Sequence, residues 1–139
     1  MAIKQISIFV ENKQGRLAQI TALLEQNGID IRALSLADTT DYGILRLIVS
    51  DPDTAYEALK EEKLTVSVTK VLGIAIPDRP GGFSRAIKVL SDAGISVEYT
   101  YAFITPQGGK AFVILRVEDN DAAADVLNRA GITVIDSIF

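Results

Sequence analysis

The sequence predicts an α+β fold made of two tandem βαββαβ modules of ferredoxin-like arrangement, each an antiparallel four-stranded sheet with both helices on one face. Two observations carry this prediction. The chain of 139 residues contains an internal repeat, and within each copy the apolar residues switch between strand and helix periods in the same order. Because βα crossovers are right-handed, this order places both helices of a module on the same side of its sheet.

The repeat is visible when residues 10–31 are aligned with residues 76–97. Further along the chain the second copy carries two extra residues, and the same elements continue in the same order. The coinciding residues include Gly15 with Gly81, Leu17 with Phe83, Gly28 with Gly94, Asp51 with Asp119 and Leu59 with Leu127. We therefore interpret the chain as two copies of one module, residues 1–71 and residues 72–139, joined without a flexible linker.

In the first module, apolar periodicity and helix-ending residues define the elements. Leu17, Ile20 and Leu24 recur at helical spacing, and Gly28 ends that helix. Asp51 is a typical N-cap for the second helix. The predicted elements are a strand over residues 3–10, a helix over 15–27, strands over 29–37 and 44–49, a helix over 53–62 and a strand over 64–71. Residues 38–43 have the composition of a hairpin turn.

The second module shows the same succession. Ile74 and Ile76 enter a strand, and the prolines and glycines of residues 77–82 then make a loop. A helix begins at Phe83 and ends at Gly94, since a residue just past a helix often needs positive φ. The later predicted elements are a strand over residues 95–104, a turn over 105–109, a strand over 111–117, a helix capped by Asp119 and ended by Gly131, and a strand over 133–139.

Composition excludes several classes of function. The chain has no Cys and no His, so disulfides, thiol or imidazole catalysis and the usual zinc sites are absent. A net charge of −4 without a block of Lys and Arg gives a nucleic-acid surface little to start from. We expect no catalytic residues, no metal and no cofactor.

The termini and strands indicate a location and an assembly. No basic segment with an apolar run precedes the first strand, and no apolar run reaches the ~18 residues of a membrane span. A cytoplasmic protein without a membrane partner is the simplest inference. Residues 44–49 and 111–115 are apolar on both strand faces, whereas a half-solvated strand alternates. We therefore expect the second sheet face to be covered by the sister module or another chain, and predict a homo-oligomer, most simply a dimer.

Two short motifs resemble the ACT domain, a βαββαβ regulatory module. They are DRPGGF at residues 78–83, after a strand, and DAGISV at residues 92–97, after the helix, and the first copy carries matching parts. The resemblance covers essentially the whole chain as a tandem pair and leaves no residues for a catalytic domain. It implies a stand-alone regulatory protein that binds an amino acid and controls a metabolic enzyme.

The resemblance also implies a ligand site between modules, built from the loop before the first helix and the start of the second strand. A glycine-bearing loop entering a helix presents free N–H groups that suit a carboxylate. The implied ligand-binding residues are Asn12, Lys13, Gln14, Gly15, Arg16 and Leu17 with Ile29, Asp30 and Ile31 in the first copy, and Asp78, Arg79, Pro80, Gly81, Gly82 and Phe83 with Ile95, Ser96 and Val97 in the second. Family members often carry Asn where Asp30 and Ser96 stand.

Each candidate also has a purely structural interpretation. The loop glycines can serve turn geometry alone, and Arg16, Arg79 and Asp30 can be solvated surface charges. Tyr99, Tyr101 and Phe103 form an aromatic stripe on one strand face. Such stripes mostly belong to a core or an interface. If this one lines a pocket, it would suit an apolar or aromatic amino acid.

Other functions of the same element order fit less well. RNA-recognition modules need aromatic and basic residues on the open sheet face, which the third strands here offer only sparsely. Metal carriers of this topology need paired Cys, and the chain has none. An acylphosphatase-like enzyme is a remote option, because only its loop Arg is matched. The main alternative to an amino-acid sensor is a regulatory or scaffold subunit of a metabolic enzyme that binds no small ligand.

Overall fold

The computed structural model describes residues 2–11, 13–38, 41–104 and 108–136. Within these ranges the chain forms seven strands and four helices. In order they are β1 (Ile3–Glu11), α1 (Arg16–Gln26), β2 (Ile31–Asp38), β3 (Tyr42–Val49), α2 (Pro52–Glu61), β4 (Thr65–Pro77), α3 (Gly82–Asp92), β5 (Tyr99–Ala102), β6 (Lys110–Arg116), α4 (Asn120–Arg129) and β7 (Thr133–Ile135). The predicted α+β fold with two βαββαβ modules is confirmed, with β4 belonging to both.

The chain divides into two compact units, and we describe each by itself. The N-terminal unit is Lys4–Thr69, and the C-terminal unit is Lys70–Phe139 with Met1–Ile3. The division falls within β4, which also contains the predicted boundary between residues 71 and 72.

One long strand replaces the two that the sequence predicts around this point. β4 continues through Gly73 without a break. A Cβ at Gly73 would lie 2.6 Å from Ile3 Cδ1 and 2.7 Å from Ile135 Cγ1. Gly73 is thus required by close packing inside the C-terminal unit rather than by a turn.

In the N-terminal unit the antiparallel sheet has the order β2-β3-β1-β4. Ile6 pairs with Leu47 and Ile8 with Leu45 across β1 and β3. These side chains form a buried core with Ile20 and Leu24 of α1 and with Ala55 and Leu59 of α2. Both helices therefore cover the same face of this sheet, as the crossover rule predicts.

The C-terminal unit repeats this arrangement with the order β7-β4-β6-β5, again antiparallel. Ile74 is opposite Val113 on β6 and Val134 on β7. The core of this unit also includes Ala86 and Leu90 of α3, together with Ala123 and Leu127 of α4. Ala86 and Leu90 are among the residues whose helical spacing predicts α3, and they form its buried face.

The predicted helix-terminal residues act as expected. The Asp51 carboxylate accepts from the Thr54 amide at 3.1 Å, and the pKa of Asp51 is lowered chiefly by a hydrogen bond from the Thr54 hydroxyl. Asp119 caps α4 in the same way through the Ala122 amide at 3.1 Å. Gly94 follows α3 with a φ of 75°, which confirms the reason for a glycine there.

Some predicted element bounds are wrong. β5 begins at Tyr99, not at Ile95, because the Ile95 amide still closes the end of α3 through Leu90 O at 2.9 Å. Ile95 and Val97 pack against the core without strand pairing. β7 ends at Ile135, while the last part of its predicted range, residues 137–139, lies outside the described residues, as do parts of the predicted turns at 39–40 and 105–107.

No helix within the described part of the chain is long and apolar enough to cross a membrane.

Truncating the α3 core residue Leu90 to Ala is expected to cost about 3 kcal/mol of unfolding free energy, because it leaves a cavity among fully buried neighbours. The control is Ile104→Ala in the same unit, where 57% of the residue is exposed and the change should stay within about 0.5 kcal/mol. Urea unfolding of both variants measures the difference. Equal losses would contradict the assigned core.

Candidate functional site

The turn from β4 into α3 depends on a backbone conformation that favours glycine. Gly81 is the N-cap of α3 with φ 88°, and Gly15 precedes α1 with φ 86°. Other residues rarely adopt this left-handed region. Neither helix has a side-chain cap among the described residues, so amides of the first helical turn are without an intrahelical acceptor.

The loop of residues 78–81 folds tightly back onto the end of β4. Pro77 O accepts from the Arg79 amide at 2.9 Å, and Arg79 O accepts from the Gly82 amide at 3.1 Å. The Asp78 amide donates to Gly109 O at 2.9 Å, which ties the loop to the start of β6. A Cβ on Gly82 would lie 2.2 Å from Pro77 O, so only glycine fits this loop as it stands.

One side of this loop borders an open cavity of about 360 Å³, which we call the apolar cavity. Its walls combine the loop, α3, and the middle of β5 and β6. The lining residues that matter here are Ile76, Phe83, Thr100, Ala102, Ala111 and Val113, with Asp78 and Arg79 from the loop. The Thr100 hydroxyl donates to Ile114 O at 2.8 Å. An apolar wall beside one carboxylate and one guanidinium can receive a zwitterion with an apolar side chain.

The N-terminal unit carries larger apolar residues on its equivalent strand. Leu34 and Leu36 of β2 stand where Thr100 and Ala102 stand in β5. They are 45% and 47% exposed. Leu36 also lies over Gly43, whose added Cβ would be 3.3 Å from Leu36 Cδ1. The copies therefore differ in side-chain volume at this place, and the C-terminal unit offers more room.

The predicted loop residues of the N-terminal unit are mostly engaged with one another. Lys13 Nζ lies 2.9 Å from Glu11 Oε2, and Arg16 lies 3.9 Å from the same oxygen. The hydrogen bond from Lys13 is the main cause that lowers the pKa of Glu11. Gln14 and Leu17 are exposed, while Asn12 lies outside the described residues.

The predicted strand-start residues lie away from the loops of their own units. Residues 29–31 follow α1 and residues 95–97 follow α3, and each helix has 11 residues, which is about 16 Å. Ile29 is buried in the core, and Asp30 is exposed and pairs with Arg32 at 3.4 Å. Ser96 is exposed. That these residues share a ligand site with a loop stays a prediction.

The aromatic stripe lies on the sheet face opposite to the helices. Tyr101 pairs with Ile114, whereas its neighbour Ala102 pairs with the core residue Val113. Strand alternation therefore places the ring of Tyr101 away from the apolar cavity, although the residue borders it. Tyr99 and Tyr101 stack with their centroids 6.4 Å apart.

Sequence reasoning missed the part of the cavity made by β5 and β6. Thr100, Ala102 and Ala111 lie several residues beyond the motifs and reach the loop only through strand pairing. A signal was present in the repeat, because Thr100 and Ala102 replace leucines of the first copy.

The geometry defines a tandem pair of small βαββαβ modules, each with a glycine-bearing loop before its first helix. The sequence matches the family model described as an ACT domain pair over residues 1–137, and the chain belongs to this family. Among curated proteins, none matches the sequence.

Solved structures agree with this assignment. Protein BT0572 from Bacteroides thetaiotaomicron is 41% identical, with a TM-score of 0.91 over 97% of this chain and 92% of that chain. The regulatory subunits of aspartate kinase from Thermus thermophilus and Thermus flavus are each 16% identical, with TM-scores of 0.65 and 0.63. The two alignments cover 91% and 92% of this chain, and the same shares of those subunits. The aspartate kinase subunits share the fold.

Gly82→Ala is expected to destabilise the C-terminal unit by about 1–3 kcal/mol, because the new methyl group collides with the Pro77 carbonyl and the loop must move. Ser84→Ala, at an exposed position two residues later, should change stability by less than about 0.5 kcal/mol. Thermal unfolding measures both. A Gly82→Ala protein as stable as the parent would show that the loop is not held as described.

Proposed function

We propose that this protein is a non-catalytic regulatory protein that binds an amino acid with an apolar side chain beside the loop of its C-terminal unit. The observation that carries the proposal is the apolar cavity, where Asp78 and Arg79 adjoin apolar walls from α3, β5 and β6. An L-amino acid has one ammonium, one carboxylate and one side chain, and this cavity has a matching group for each.

The charges assign an orientation to the ligand. The Asp78 carboxylate would pair with the ligand ammonium, and the Arg79 guanidinium would pair with the ligand carboxylate, aided by the uncapped N-terminus of α3. Phe83 would contact the ligand side chain. The N-terminal unit lacks this combination, since Lys13 takes the place of Arg79 and is paired with Glu11.

The amino acid would regulate a partner by binding one state of this protein more tightly than another. A ligand shifts a protein between two states only if it contacts them differently. The loop that carries Asp78 and Arg79 lies at the protein surface, so a ligand bound beside it would change the surface that a partner contacts. The family is typically regulatory, and we propose a metabolic enzyme as the partner; the aspartate kinase subunits share only the fold at 16% identity and do not identify that enzyme. The cytoplasmic location expected from the sequence stays a prediction.

We also propose a homo-oligomer that forms through β2. This strand is at the edge of the N-terminal unit's sheet. Leu34 and Leu36 share the core face with Leu47 and Leu45 across β3, yet about half of each is exposed. A second copy that pairs along this edge would bury these leucines and satisfy the open backbone groups.

Among the common L-amino acids, those with branched or aromatic apolar side chains are expected to raise the melting temperature in proportion to the logarithm of their concentration, because they bind only the folded state. Phe83→Ala and Asp78→Asn should each raise about tenfold the ligand concentration that gives the same shift in melting temperature. Each change removes one buried contact or one charge-assisted hydrogen bond to the ligand. Differential scanning fluorimetry measures the shifts.

Matched controls for this titration come from equivalent or distant positions. Leu17→Ala is the counterpart of Phe83→Ala in the other copy, and Asp92→Asn removes an exposed carboxylate at the far end of α3. Both should leave the ligand response unchanged. If millimolar amino acid leaves the melting temperature of the parent protein unchanged, the sensor proposal is wrong. That result would favour the alternative, a regulatory or scaffold subunit without a small ligand.

A Leu34→Asp, Leu36→Asp double variant is expected to dissociate the oligomer into monomers, since burying two carboxylates in an apolar contact is costly. Light scattering coupled to size exclusion measures the mass. Ile104→Asp, at a somewhat more exposed apolar position in the C-terminal unit, should keep the parent mass. A parent protein that is monomeric at micromolar concentration would contradict the proposed assembly.

A further inference from the structure

A second cavity lies on the other side of the β4–α3 loop and has a different character. Its volume is about 330 Å³, and three basic residues line it: Arg79 from the loop, Arg85 from α3 and Lys110 from the start of β6. The remaining wall includes Gly82 and the backbone of residues 131–133, and no Asp or Glu is among its lining residues. We call it the cationic cavity.

The duplicated copy shows that this charge is not a general feature of the module. The corresponding groove of the N-terminal unit, about 270 Å³, is lined by two acidic and two basic residues: Glu11, Glu62, Arg16 and Lys63. Its charges balance, and Glu11 is already paired with Lys13 at 2.9 Å.

Aligning the copies locates the changes. Pro77 stands in place of Glu11 and Ala130 in place of Glu62, so both carboxylates are gone in the C-terminal unit. Lys110 stands in place of Tyr42 and Arg85 in place of Gln19, so two cations are added. Gly82 and Gly131 stand in place of Arg16 and Lys63, so two cations of the groove are lost as well. The lining still changes from two acidic and two basic residues to three basic residues, although the whole chain has a net charge of −4.

The added cations have few partners of their own. Arg85 donates to Ala130 O at the end of α4, and a guanidinium retains further N–H donors after one such bond. Arg79 and Lys110 form no ion pair with any carboxylate of the described residues. Three neighbouring cations without an anion repel one another, and a bound anion would relieve this repulsion.

We propose that the cationic cavity binds the phosphate group of a small soluble metabolite. Two guanidinium groups and one ammonium suit a dianionic phosphate better than a carboxylate, which carries one charge and would leave most of the positive charge uncompensated. The N-terminus of α3, which lacks a side-chain cap, adds a favourable dipole. Because Arg79 also borders the apolar cavity, phosphate binding would be coupled to amino-acid binding on the other side of the loop.

The site is tested with pyrophosphate as the probe, by isothermal titration calorimetry in chloride buffer. One pyrophosphate is expected to bind per chain, about tenfold more weakly in Lys110→Gln and undetectably in Lys110→Glu. The affinity should fall as chloride rises, because the cations are solvent-accessible. Inorganic phosphate should displace the probe.

Two controls keep this test decisive. Lys88→Gln and Lys88→Glu make the same charge changes on the outer surface of α3, where Lys88 pairs with Asp92 at 2.9 Å, and should bind pyrophosphate within about twofold of the parent. An equal loss in the Lys88 and Lys110 variants, or no binding by the parent at millimolar pyrophosphate, would overturn the proposal. Lys110 does not line the apolar cavity, so the amino-acid response of Lys110→Gln reports separately on the proposed sensor function.

Discussion

The position of the α3 N-terminus against the end of β4 is the constraint on which the site depends. Gly81 adopts φ 88°, and the next residue has no room for a Cβ because Pro77 O would lie 2.2 Å away. This backbone arrangement places Arg79 between two cavities of different chemistry and Asp78 at the border of the apolar cavity. The core of the C-terminal unit anchors α3 through Ala86 and Leu90.

The two copies show how one backbone can serve two purposes. Both have the loop glycine at nearly the same φ, 86° and 88°, and both have a helix without a side-chain cap among the described residues. In the N-terminal unit the acidic and basic residues of the groove balance in number, and the β2 leucines are half-exposed. In the C-terminal unit smaller residues open one cavity and uncompensated cations line the other. We interpret the N-terminal copy as the assembly module and the C-terminal copy as the ligand module.

Much of the fold could be predicted from the sequence, because local signals agree with the tertiary structure. Asp51 and Asp119 cap the helices that follow them, and the apolar spacing from Phe83 to Leu90 gives the buried face of α3. The start of β5 could not be predicted, because Ile95 and Val97 are apolar for reasons of core packing rather than strand pairing. The continuity of β4 through Gly73 could not be predicted either. A glycine in a sequence does not show whether it permits a turn or makes room for a close contact inside a strand.

The loop of the candidate site could be recognised in the sequence, whereas the walls of its cavities could not. The glycines and charges of residues 78–83 are contiguous and have a recognisable chemistry, whereas Thr100, Ala102 and Lys110 meet the loop only through the register of β4, β5 and β6. Register is a tertiary property that a single sequence specifies weakly. The position of Tyr101 is a related case, since the alternation of β5 directs its ring to the face away from the apolar cavity.

Amino-acid binding by the C-terminal unit is tested most directly by a ¹H–¹⁵N correlation spectrum of the parent protein titrated with L-leucine or L-phenylalanine. We expect amide shifts centred on residues 78–83 and 100–102, with the equivalent residues 13–17 and 34–36 unaffected. Shifts centred on the N-terminal loop, or none at saturating amino acid, would contradict the assignment of the C-terminal unit as the ligand module.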